Sequence, residues 1–147
     1  MAINSQVVAV RNAFKTQLDS RGALSGISIF KYPPMEQAPK KEMIFFGDAS
    51  SSIDFEAFGT VYEEDLDLKI FIYVLRAGAG DSVASTTETR ALALANEIID
   101  QLADDSTING TVIVANVSNM QVENGVSDDG RICSIEIDID AQATLSE

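Results

Sequence analysis

Apolar side chains near the start of the chain recur at Ile3, Val7, Val10, Phe14 and Leu18. That spacing gathers them on one side of a helix. Asn4 or Ser5 can cap its start and Gly22 is a natural stop, so a helix is expected over about 5–20. The pattern then changes to alternation. GISIFKY (26–32) reads as a strand that ends at Pro33-Pro34, where a ladder cannot continue. The polar stretch 34–42 reads as a loop, EMIFFGD (42–48) as a short strand, 49–52 as a small polar link and SIDFEAFG (52–59) as another strand. The longest alternation is EEDLDLKIFIYVLRAG (63–78), with Leu66, Leu68, Ile70, Ile72 and Val74 in one phase. Asp65, Asp67, Lys69, Phe71, Tyr73 and Leu75 occupy the other, which is charged at its start and greasy at its end.

Helical spacing returns with Ala91, Ala95, Ile98 and Leu102, flanked by Leu92 and Ile99. Ser85 and Glu88 have the form of a capping box, so the second helix is expected over about 86–103. TVIVANVSNMQVE (111–123), the turn residues VSDDG (126–130) and RICSIEIDIDA (131–141) read as an antiparallel hairpin. The resulting order is α-β-β-β-β-α-β-β. It predicts one α+β domain over 1–147, with a mainly antiparallel sheet flanked by two helices.

Composition narrows the chemistry. No apolar run approaches the ~20 residues of a membrane helix, and the start lacks the layout of a signal peptide. A chain made and kept in a cytoplasm, away from membranes, is expected. The lone cysteine, Cys133, excludes an internal disulfide and shares its phase with Ile135, Ile137 and Ile139, so a buried position is expected. The net charge is −13 and is unevenly spread. Beyond residue 91 a single basic residue, Arg131, faces eleven acids, so that half should repel nucleic acid.

The sequence contains no histidine, which removes the commonest general base and, with one cysteine, most zinc sites. No catalytic residue, cofactor site or metal site is assigned. The acids of SIEIDIDA (134–141), Glu136, Asp138 and Asp140, alternate with isoleucines and fit a solvated strand face. They lack the turning, glycine-bearing backbone of a calcium loop. Gly78 and Gly80 open a strand-to-helix connection, but Val83 stands where a dinucleotide loop needs its third glycine. Phe71, Tyr73 and Leu75 are a candidate subunit contact, or else lie under one of the chain's own helices.

Four phrases carry a resemblance: EMIFFGDAS (42–50), GTVYEEDLDLKIFIYVLRAG (59–78), TETRALALANEIIDQLADDSTINGTVIVANV (87–117) and DDGRICSIEIDIDAQATL (128–145). The chain resembles the tail terminator (tail completion) proteins of tailed bacteriophages and their relatives in gene transfer agents. Where such proteins often carry arginines before the long strand, this chain has Thr60, Val61 and Tyr62. The resemblance implies a structural virion protein without catalysis. It implies a hexameric ring on the head-proximal end of a tail tube, assembled in the host cytoplasm. Such a ring ends tube polymerisation, meets the head connector and lets genome DNA pass without specific binding. Asp65, Asp67, Glu136, Asp138 and Asp140 could then line the lumen, or simply keep the protein soluble. Another neck or tail tube component, or a small acidic protein-binding module, are the alternatives.

Overall fold

The computed structural model describes residues 4–34, 41–54 and 61–146. Helix α1 spans Val7–Asp19 and is followed by a 3-10 turn and the short strand β1 (Ser28–Phe30). Then come β2 (Glu42–Asp54), β3 (Val61–Arg76), α2 (Asp81–Asp104), β4 (Val114–Ser127) and β5 (Gly130–Ser146). The strands form one sheet in the order β1-β2-β3-β5-β4. Only β1 runs parallel to its neighbour, and every other pair is antiparallel. The α+β expectation holds.

Both helices lie on one face of this sheet. Val10, Phe14 and Leu18 of α1 and Ala91, Leu94, Ala95, Ile98 and Leu102 of α2 join one core with Ile70, Ile72, Ile135, Ile137 and Ile139. Phe14 meets Phe46 edge to face, ring centroids 6.2 Å apart. At the far ends of the helices, Arg21 bonds Glu97, Gln101 and Asp104. Cys133 is fully buried among the isoleucines, and burial pushes its thiol up to about 11.

Several boundaries differ from the sequence reading for physical reasons. The expected link at 49–52 is strand: β2 runs through it, and only Gly47 and Asp48 interrupt the ladder as a bulge opposite Lys69. One strand therefore stands where two were expected before α2, as far as residue 54; the rest of the expected 52–59 strand lies outside the described residues, as does most of the expected 34–42 loop. Helix α2 begins at Asp81, with extended Gly80 before it, so Ser85 is inside the helix rather than capping it. Hydroxyl residues are accommodated there because Thr86 and Thr87 donate to the carbonyls of Ser82 and Val83. Helix α1 ends at Asp19, and Gly22 opens the 3-10 turn instead of capping the helix.

A second bulge sits at Ser118 in β4, beside Asp138 of β5. Lys69 and Asp138 are themselves cross-strand partners. The two bulges and this pair thus lie at one level across the sheet. Bulges raise local twist and bend a strand, so the sheet is creased along this line.

The loop after α2 is organised by Asp105. Its carboxylate accepts from the hydroxyl and amide of Thr107, the amide of Asn109 and the side chain of Gln17. These bonds, the Thr107 hydroxyl foremost, hold the carboxyl down to about 2. Replacing Asp105 with alanine should lower the melting temperature at neutral pH. Because the folded value is depressed, the stabilisation is complete above the unfolded value of ~4 and is lost as pH falls through the folded one. Wild-type and variant melting temperatures should converge between those limits; a constant gap down to the acid end would contradict this.

Candidate functional site

The sheet face opposite the helices carries no secondary-structure layer among the described residues. Strand alternation places Asp65, Asp67, Lys69, Phe71, Tyr73 and Leu75 of β3 on it, beside Ser134, Glu136, Asp138, Asp140 and Gln142 of β5. The sequence-derived acids and apolar candidates therefore share one face. Asp65, Asp67 and Asp140 lie at one end and Tyr73 and Leu75 at the other, with Asp138 between them and Glu136 directly opposite Phe71.

The acidic end holds Asp65, Asp67 and Asp140. Asp67 and Asp140 face each other across the ladder, an unfavourable like-charge pair. One oxygen of Asp67 is buried without a hydrogen-bond partner, while Asp65 accepts from Gln142 at 3.2 Å. These carboxylates border an open basin of about 570 Å³ shared with Ser50, Ser52 and Asn116. Among the described residues, no group of three or more acidic, cysteine or histidine side chains is arranged to hold a metal ion.

At the crease the charge is balanced. The Lys69 ammonium donates to Glu136 at 2.8 Å and to Asp138 at 3.1 Å. Those bonds, Glu136 first, raise the lysine's pKa above its ordinary value. Glu136 and Asp138 are thus ion-paired, leaving Asp65, Asp67 and Asp140 as the repulsive part of the row.

Beyond the crease the face turns apolar. Phe45 stacks on Phe71 with centroids 5.2 Å apart, and Met43 lies opposite Tyr73. Gly47 lets the ring lie close, because a Cβ on it would come within 2.4 Å of the Phe71 ring. Burial raises the Tyr73 phenol above its usual value, with Asp129 adding to the effect. The alternative that Phe71, Tyr73 and Leu75 are covered by the chain's own helices is overturned: both helices pack on the opposite, isoleucine-rich face.

Two features escaped the sequence reading. Glu64 is fully buried on the helix side. It accepts from Ser5 and Ser51 and from the Gln6 amide at the start of α1. Its phase, shared with Leu66 and Leu68, was the available signal. The other is the exposed edge formed by β4, described below.

The chain matches a chain titled as the virion of a native gene transfer agent particle. The match covers 97% of this chain and 100% of that one, with a TM-score of 0.60 and 16% identity. The two share a fold. No protein-family model matches the chain, and no curated protein does. Among the described residues, no helix is long and apolar enough to cross a membrane.

Proposed function

We propose that this protein is a structural component of a phage-like virion, and that it acts as a ring capping the head-proximal end of a tail tube. The observation that carries the reading is the end-to-end fold match to a chain of the gene transfer agent particle. The surface agrees with it: one helix-free sheet face, acidic at one end and aromatic at the other, suits a wall better than a pocket. In this reading six copies surround the DNA path, end tube polymerisation and present a surface to the head connector. Phe71, Tyr73 and Leu75 take an adjoining subunit over the aromatic end. Asp65, Asp67, Glu136, Asp138 and Asp140 face the lumen, where like charge lets DNA slide without sticking.

Native mass across protein concentration, with and without magnesium, together with negative-stain images of the protein mixed with purified tail tubes, tests this. The expected result is rings of about six copies, free or seated at one tube end. Copies that neither form rings nor cap tubes would overturn it. The lumen assignment has its own test. Changing Asp65, Asp67 and Asp140 together to lysine should convert a protein that ignores duplex DNA into one that retains it at about 50 mM salt and releases it near 200 mM, as phosphate contacts demand. An unchanged mobility shift would remove these acids from the DNA path.

A further inference from the structure

The two edges of the sheet are unlike those of most isolated open sheets. Strand β4, fourteen residues long, is bonded among the described residues along one side only, to β5. Nearly all of it is exposed. Met120 and Val122 point to the helix side, opposite buried Ile137 and Ile135, yet remain 38% and 36% exposed. Ile113 and Val126 flank them at 57% and 67%. The core therefore runs out uncovered beneath this strand. Natural edges are blunted by lysine, proline, bulges or short length; β4 contains neither residue, and past its bulge at Ser118 it runs regularly from Asn119 to Ser127. At the other edge β1 covers only Met43–Phe45 of β2. From Ala49 to Ile53 the ladder partner of β2 among the described residues is β3 alone.

We propose that β4 of one copy pairs with the Ala49–Ile53 edge of β2 in the next, continuing the sheet from subunit to subunit. Three observations select a second copy as the occupant. First, direction: β2, β3, β5 and β4 are successively antiparallel, so β4 runs opposite to β2. Rotation about an axis along the strands preserves direction, so neighbouring copies meet antiparallel, with the ladder of ordinary sheets. Second, charge: in a chain of net charge −13, Ala49–Ile53 carries no ionisable side chain and β4 carries only Glu123. These are the strips where two such copies can approach without strong repulsion. Third, the two edges differ, so the contact is head-to-tail and continues past a dimer, as a ring requires. Joined this way, the helices stay on one side of the wall and the acidic face on the other.

The proposal adds an edge-to-edge contact to the aromatic one of the ring reading and rests on that reading. Hydrogen exchange of the full chain, read by mass spectrometry below and above the concentration at which native mass rises, is the test. Assembly should slow exchange at least tenfold in peptides of β4 and of residues 49–53, and leave α2 unchanged. Oligomers without that protection overturn the edge contact while the ring reading stands. Protection of β4 alone, with dimers, shows β4 pairing with itself and also overturns it. A chain monomeric at every concentration overturns it as well, and the tube-capping images then judge the ring reading separately. As a second arm, Met120→Lys with Val122→Lys should abolish assembly, while Val8→Lys, at another exposed apolar site, on α1, should not. Assembly that survives the β4 pair counts against the proposal.

Discussion

Replacing Glu64 with alanine should cost about 2–3 kcal/mol, one of the largest losses of any single polar substitution in this chain. The carboxylate is fully buried and accepts from Ser5 Oγ at 2.5 Å, Ser51 Oγ at 2.5 Å and the Gln6 amide at 2.7 Å. It therefore ties β3 to β2 and to the start of α1, where a negative charge also meets the positive end of the helix dipole. Helix α1 has no side-chain cap from its own Gln6; Ser5 Oγ accepts from the Val7 amide at 3.2 Å, and Glu64 holds that serine and the Gln6 amide in place. Burying a charge opposes these gains, which keeps the expected loss below the sum of three charge-assisted bonds. Alanine removes every acceptor at once. Glutamine keeps one acceptor oxygen, and its amide can donate to a serine hydroxyl, so it should lose only about 1 kcal/mol. Denaturant titration separates these outcomes. An alanine variant within about 0.5 kcal/mol of wild type would show the cluster to be a surface ornament.

Gly130→Ala should be about as damaging, for a backbone reason. Gly130 opens β5 at φ +140°, and an added Cβ would stand 2.0 Å from the Arg76 carbonyl oxygen and 2.8 Å from its carbon. Neither atom can move without parting β3 from β5, which are partnered from Val61 to Arg76. Strain and overlap together suggest about 2–4 kcal/mol. Gly47→Ala makes the useful contrast. Its Cβ would meet a ring atom of Phe71 at 2.4 Å, but that ring sits on an open face and can swing aside, so about 1 kcal/mol is expected. Thermal melts of the two variants should rank Gly130→Ala well below Gly47→Ala. The reverse order would place the rigid contact at the aromatic end instead.

Much of the fold was legible because β3 and β5 alternate without interruption. Their phase alone put Leu66 to Val74 against Ile135 to Ile139, and the acids on the far side. In β2 a bulge hid the strand. In β2 the core-facing positions are Ile44 and Phe46 before Gly47 and Asp48, then Ala49 and Ser51 after them. A shift from even to odd positions looks in sequence like two strands and a link. Glu64 stands in sequence as an acid in the core phase, but acids at strand starts are so common that phase alone does not mark it as buried. The exposure of β4 was not legible at all. Met120 and Val122 alternate with polar residues as in any half-buried strand, and what leaves them bare is that α2 packs mainly over β3 and β5.

The crease separates shape from chemistry. At each bulge one residue is surplus to the ladder: two stand opposite Lys69, and Ser118 is the extra one beside Asp138. Deleting a single residue there restores strict alternation and leaves every other side chain on the face it already occupies. Single-residue deletion is therefore a dial on curvature alone. Through it, the bend of the sheet can change while the acidic, ion-paired and aromatic bands stay where they are.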